Sequence, residues 1–453
     1  MAEPAPRPNI IVFFSDQQRW DTLGCYGQPL PVTPNLDRLA AEGVRFVHAF
    51  TCQPVCGPAR ACLQTGRYAT EVGVFRNGIA LPPGEKTLAH FLSGAGYEVG
   101  YIGKWHLGSN RPGDPDRIQA VPPERRGGYT DYWLASDTLE STSHGYDGHM
   151  FDAQMRQVDF KGYRVDCLTD FALEYLRTRD GRRPFFLFLS YIEPHFQNDH
   201  QHFEGPIGSK ERFAGFVPPG DLVGAGGDWR EEYPDYLGCC ASLDENLGRL
   251  RGELDRLGLS GNTLLIYTSD HGCHFKTRNS EYKRSCHEAS IRIPLLACGP
   301  GLRGGVEVDE LVSLIDLPPT LLTAAGVAPP ASMRGRALQP LLEGAATDWP
   351  REVFVQISED HIGRAIRTKK WKYSVWVPSD EPYSGSATAS SDVYVEQCLY
   401  DLEADPHERR NLVADPAYAS TRAHLAERLK ARMVEAGEAV PKILPAAGTT
   451  SAP

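Results

Sequence analysis

The chain has 453 residues, 41% hydrophobic and 23% charged, which excludes a disordered polymer and leaves room for one large α/β domain plus a smaller one. A formal net charge of -11 gives no general attraction for nucleic acid or an anionic membrane, so neither is expected as a partner and the local basic groups matter more than the total. No apolar run is long enough to span a bilayer, and the start "MAEPAPRPNIIVFFSD" lacks the basic, apolar and small-residue order of a signal peptide. The expectation is a cytoplasmic protein, or a periplasmic or secreted one from which a signal has been removed. Eleven cysteines, an odd count, imply that not all are in disulfides.

In chain order, four short apolar runs have the pattern of strands buried on both faces, and each stops at polar groups. "NIIVFFSDQQ" ends at Asp16 and Gln17, and "YEVGYIGKWHLG" at Lys104 and His106. "RPFFLFLSYIEPH" delivers His195, and "NTLLIYTSDHG" delivers Asp270 and His271. Helix-like stretches lie between them, at Pro34 to Glu42, Thr87 to Ala95, Val165 to Arg177 and Tyr236 to Leu257. This alternation predicts a large mixed, mostly parallel sheet sandwiched by helices. Ligands of such sheets bind beyond the carboxyl ends of the strands, which brings these polar endings to one edge. A lone Asp or His after a strand is usually a turn former, but four such endings together argue for a site.

Two aspartates, an amide oxygen and an imidazole suit one divalent metal. Their oxygen-rich chemistry favours calcium, with magnesium, manganese or zinc as the other options. A rival set, Cys273, His274, Cys286 and His287 in "HGCHFKTRNSEYKRSCHE", fits no common structural zinc spacing. Between the first two strand runs, "VCGPARACLQTG" places Cys56 two residues before Pro58, a residue suited to a first helical turn. Unpaired N–H groups there favour an anion, and Arg60 has planar donors to turn back toward Cys56.

Cys56-Gly-Pro58-Ala-Arg60 followed by Thr65-Gly66 resembles the signature of type I sulfatases, members of the alkaline phosphatase superfamily. "GYEVGYIGKWHLG", "SDHG", "YKRSCHEASIRIPLL", "LVSLIDLPPTLLTAAGV" and "LYDLEADPHERRNL" resemble further segments of that family in the same order, so the likeness spans nearly the whole chain. The resemblance implies an alkaline-phosphatase-like fold with a C-terminal sheet-and-helix subdomain. It also implies sulfate-ester hydrolysis through formylglycine, an aldehyde made from Cys56 by a separate maturation enzyme and held as its hydrate.

By the same resemblance, Asp16, Gln17, Asp270, His271 and modified Cys56 surround the metal, and Arg60 holds the hydrate. Lys104 and Lys283 bind sulfate oxygens, and His195 sits by the leaving oxygen, so that it or Lys283 protonates the departing alcohol. His106 removes the second hydroxyl proton so that the carbonyl reforms and expels sulfate. Gln17 stands where many members have a second aspartate, and a glutamine there resembles the phosphonate and phosphodiester hydrolases or choline sulfatases of the same superfamily. The expected substrate is a sulfate ester of a carbohydrate or small alcohol. The other readings are a phosphonate monoester or phosphodiester hydrolase, and an unmodified, catalytically silent sugar-binding relative.

The composition change after "MRGRALQPLLEG" sets the expected boundary near Asp348, giving a catalytic domain over 1–348 and a subdomain over 349–453. In the latter, "EVFVQIS", "RAIRTKKWKYSVWV" and "QCLYDLE" read as antiparallel strands, followed by a helix from about Tyr418 to Glu435 and a mobile tail, "PAAGTTSAP". Substrate choice is expected in the stretches 109–151 and 196–230. Their candidates are His144, chosen as a substrate contact, with His149, His200, His202, Arg125, Arg126, Tyr129, Tyr132 and Trp133; the alternative is that the aromatics fill a loop core. His361 and Arg364 are candidates for the rim.

Overall fold

A computed structural model describes residues 7–109, 118–345, 348–381 and 383–446. Its larger sheet contains β1 (Asn9–Ser15), β2 (Val44–Phe50), β3 (Glu98–Lys104), β4 (Tyr132–Ser136), β5 (Asp147–Asp152), β6 (Gln157–Lys161), β7 (Phe185–Ser190), β8 (Thr263–Ser269), β9 (Arg292–Ile293), β10 (Leu295–Cys298) and β11 (Val306–Ser313). The spatial order is β11-β2-β10-β8-β1-β7-β3-β4-β5-β6, with β9 beside β2. From β8 through β1, β7 and β3 to β4 every pairing is parallel, whereas β10, β5 and β6 run antiparallel to their neighbours.

β1 explains why a continuous apolar run was the right signal for the centre. Ile10, Val12 and Phe14 face one layer, which includes the helices Cys56–Thr65 and Leu317–Ala324. Ile11 and Phe13 face the other, with Pro34–Glu42, Arg164–Thr178 and Trp229–Arg256. Both faces are dry, so neither can be polar. The last of these helices starts seven residues before the expected Tyr236 and runs through Pro234, at the loss of one backbone hydrogen bond.

The smaller sheet is β12 (Glu352–Ile357), β13 (Gly363–Thr368), β14 (Trp371–Trp376), β15 (Val393–Asp401) and β16 (Lys442–Leu444). "RAIRTKKWKYSVWV" is thus two strands, and β16 joins parallel to β15 as an addition the sequence pattern did not show. One face of this sheet packs on the helix Ala419–Glu435 through Leu425, Leu429 and Met433. Val353, Val355, Ile357, Ala365 and Cys398 on the other face bury against Phe50, Cys286, Ile291 and Leu311 of the larger unit. The expected boundary near Asp348 adjoins residues 346–347, and most of the expected tail, 447–453, lies outside the described residues, as does 110–117 of the first substrate stretch.

Candidate active site

The parallel strands release their side chains at one edge, as the sequence predicted. β1 ends at Asp16, β8 at Asp270 and His271, and β3 at Lys104, all buried. Gly103 lets β3 lie close to β7: a Cβ there would meet the Ser190 carbonyl oxygen at 1.9 Å. Gln17 and His106 both adopt left-handed backbone, with φ of 67° and 59°, a strained conformation for residues with side chains. At Gln17 the turn is held by its N–H, which donates to Asp270 Oδ1 at 3.0 Å, and by its carbonyl, which accepts from the Tyr236 hydroxyl at 2.6 Å.

Cys56 is the first residue of the helix Cys56–Thr65, whose ten residues are all buried. Asn77, a residue the sequence reading passed over, caps it: the Gly57 N–H donates to Asn77 Oδ1 at 2.9 Å. Cys56 Sγ lies 3.3 Å from Asp16 Oδ1, 3.3 Å from His271 Nε2 and 3.0 Å from Lys283 Nζ. Asp16, Cys56, Asp270 and His271 each bring one donor atom within 4.8 Å of the others. One turn further along, Arg60 donates to Asp16 Oδ2 at 2.9 Å, to Ser190 Oγ at 2.7 Å and to the Lys104 carbonyl at 2.9 Å. Lys104 Nζ donates to Asp16 Oδ2 at 2.8 Å and pairs with Glu140 at 3.3 Å. His195 Nε2 lies 3.2 Å from Lys283 Nζ, and its Nδ1 is 2.6 Å from the Phe196 carbonyl oxygen.

Charge is balanced here without being neutralised pair by pair. Burial disfavours an ionised Asp16, but Lys104, His195, Arg60 and Lys283 outweigh it and hold the carboxyl well below the usual range. Asp270 is instead pushed up to about 7 by burial and by the charge of Asp16, and its Oδ2 accepts no hydrogen bond. Burial, with Lys283 next, pushes both His271 and His195 well below the usual imidazole range. Burial and Asp16 push the Cys56 thiol up to about 12, so as a thiol it is a poor nucleophile at neutral pH.

A cavity of about 580 Å³ opens onto this cluster and is lined by Gln17, Cys56, His106, Glu140, His195 and Lys283. Its outer wall differs from the expected one. Arg76, Asn77, Asn198, Gln201, Lys276, Tyr282, Arg284, Glu359 and Ser386 line it, whereas His144 does not. His144 is exposed, with Nδ1 2.8 Å from Asp199 and its ring stacked on His200. Tyr129 and Trp133 are buried in the main core beside Tyr101, so for them the loop-core alternative describes the packing. Arg364 is buried in an ion pair with Glu438, and His361 pairs with Asp360. The smaller sheet's unit reaches the cavity through Glu359 and Ser386 instead. Polar side chains after apolar strands gave most of the inner residues away; the outer ones come from turns with no periodicity to read.

A parallel-centred α/β sheet with carboxylates, imidazoles and lysines around a helix-start cysteine is chemically suited to a tetrahedral oxyanion ester. Residues 8–327 match the family model "Sulfatase", residues 280–435 match "N-sulphoglucosamine sulphohydrolase, C-terminal", and the chain belongs to the sulfatase family. It is 30% identical to the ulvan-active sulfatase of Formosa agariphila over 95% of this chain and 82% of that protein. It is 26% identical to the N-acetylglucosamine-6-O-sulfatase of Bacteroides thetaiotaomicron over 94% of this chain and 86% of that one. The crystal structure of yidJ from Bacteroides fragilis superimposes with a TM-score of 0.83 at 26% identity, covering 97% of this chain and 98% of that one. The protein is therefore a sulfate-ester hydrolase of a family that generally uses a metal and a formylglycine. No helix of the described residues is long and apolar enough to cross a membrane.

Proposed function

We propose that this protein hydrolyses a sulfate ester of a carbohydrate through formylglycine at Cys56, and that the roles expected from the sequence belong to the residues gathered here. The carrying observation is the convergence of Asp16, His271 and Lys283 on Cys56 Sγ, at 3.0 to 3.3 Å. Asp16, Gln17, Asp270 and His271 fit a divalent cation. Buried Asp270 Oδ2 accepts no hydrogen bond among the described residues and has only Arg60 at 3.5 Å, and a cation offsets the cost that burial and the charge of Asp16 impose on it. The oxygen-rich set favours calcium over magnesium, manganese or zinc. A cation held there would supply the charge that polarises one hydroxyl of a hydrated formylglycine at residue 56.

The remaining work falls to the chain. Arg60 fixes Asp16 and the strand end around it. Lys104 and Lys283 neutralise charge on the sulfate oxygens as it spreads in the transition state. Lys283 carries the proton for the leaving oxygen, because its ammonium is held charged while His195, 3.2 Å away, is held neutral and orients it. His106, which also lines the cavity, takes the proton from the second hydroxyl and lets sulfate depart.

Beyond the sulfate position the cavity offers Asn77, Asn198 and Gln201 to sugar hydroxyls, and Arg76, Lys276 and Arg284 to a second anionic group on the same sugar. Arg76 forms no ion pair among the described residues, unlike Lys276 with Asp228 and Arg284 with Glu359. The likeness to an N-acetylglucosamine-6-O-sulfatase supports a carbohydrate. Gln17 favours a second reading, a phosphonate monoester or phosphodiester hydrolase.

The test is mass spectrometry of the tryptic peptide containing Cys56, from protein made with the maturation enzyme, followed by rates on an aryl sulfate, an aryl phosphonate and a panel of sulfated sugars. Formylglycine with sugar-sulfate turnover supports the proposal. Faster phosphonate cleavage selects the second reading, and a fully modified protein inert on every substrate overturns both.

A further inference from the structure

Cys286 and His287, three and four residues beyond Lys283, were candidates for a zinc set with Cys273 and His274. The structure separates that set: Cys273 turns to Gln17 and His274 lies against the Lys283 carbonyl. Cys286 and His287 instead meet Cys398 of β15, and the three residues bring Sγ, a ring nitrogen and Sγ within 4.8 Å of one another. Cys286 and Cys398 are buried where the smaller sheet packs on the larger unit, while His287 is half-buried and gives a path for entry.

We propose that Cys286, His287 and Cys398 form a second metal site, selective for zinc, that pins the segment carrying Lys283 to the smaller sheet. Two sulfurs and an imidazole are a soft to borderline set unlike the oxygen-rich cluster at the strand ends, so the two sites sort different ions. Binding displaces two thiol protons to solvent and involves no change of oxidation state. Two thiolates and Zn²⁺ are together neutral, which suits a buried position. The surrounding charges are already matched, Lys372 and Arg367 against Glu288 and Glu408, and do not compete for the ion.

The outer groups are also in place. Ser285 Oγ is 3.2 Å from His287 Nδ1 and the Tyr400 hydroxyl is 3.2 Å from Nε2, so whichever nitrogen binds, the other keeps a partner that fixes the tautomer. The Ser374 hydroxyl lies 3.5 Å from Cys286 Sγ. Tetrahedral ligation leaves a fourth position for Tyr400 or water.

The experiment uses the full chain with Cys56→Ala, which removes the thiol of the other cluster, dialysed with zinc against excess calcium. Elemental analysis should find one zinc per chain, and cobalt exchanged for it should give a thiolate-to-cobalt charge-transfer absorption. Both should be lost in Cys398→Ser and in His287→Asn, the latter at a half-buried position that tolerates change if the serine variant does not fold. Retention of no zinc by the Cys56→Ala parent overturns the proposal. So does a cobalt–thiolate band that survives both variants, or a Cys286–Cys398 disulfide in freshly purified protein. None of these results depends on turnover, so the site stands or falls separately from the catalytic reading.

Discussion

The ammonium of Lys283 lies 3.0 Å from Cys56 Sγ and makes no ion pair with any carboxylate among the described residues, whereas Lys104 is clamped between Asp16 and Glu140. The two lysines therefore differ in what they do for the empty protein. Lys283→Ala should lower kcat/KM by roughly 10² to 10³, the usual cost of one charge-stabilising donor, with little change in melting temperature. Lys104→Ala should cost a comparable factor in rate and also about 3 kcal/mol of stability, because it strips a partner from two buried carboxylates. Paired denaturation and steady-state measurements check this; equal stability losses would contradict the asymmetry.

His195 touches Lys283 and not the cysteine, so on the proposed mechanism it serves the leaving group by orienting the Lys283 ammonium. His195→Asn should slow hydrolysis of a sugar sulfate, whose alkoxide needs a proton to depart, by about 10² to 10⁴. An activated aryl sulfate, with a leaving group of low pKa, should lose far less. Rates across a series of phenol leaving groups read this out as a steeper dependence on leaving-group pKa in the variant. An unchanged slope would mean that His195 does not position the proton donor.

The inner site was readable because strand ends place chemistry in register with the chain: Asp16, Lys104, Asp270 and His271 each stand within four residues of the end of an apolar run. The fold was readable for the same reason, since strands dry on both faces cannot alternate. Asn77, Arg76 and Glu359 were not, because they arrive from turns whose approach depends on packing between units distant in sequence. His144 misled because an exposed histidine in a loop carries no signal for the direction it faces; its partners, Asp199 and His200, lie more than fifty residues on.

A serine in place of Cys56 keeps the helix start and its Asn77 cap but supplies a single oxygen. Cys56→Ser should accept sulfate from an aryl sulfate once and then stall, since a serine ester has no second hydroxyl through which His106 can expel sulfate. The expected result is a burst of phenol near one equivalent per chain and a sulfated Ser peptide by mass spectrometry. Sustained turnover at the unmodified rate would mean that water attacks sulfur directly and that the second hydroxyl is not needed.

Arg19, two residues beyond Gln17, is buried and forked onto Asp221 through 2.7 and 3.1 Å hydrogen bonds, with Asp21 on its other edge. Burial disfavours an ionised Asp221, but Arg19 outweighs it and holds the carboxyl below its ordinary value. Between that folded value and the unfolded one of about 3.9, the unfolded chain binds more protons, so stability rises with pH there. The pair's contribution is complete above about pH 5 and is lost as pH falls through the folded value. Asp221→Asn should therefore cost about 3 kcal/mol at neutral pH, the low end for breaking a buried pair because Asp21 still holds the guanidinium. The gap between wild type and variant in urea unfolding should stay constant from neutral pH down to about 5 and shrink below about 4. A gap that persists unchanged in acid would mean that Asp221 contributes shape and not charge.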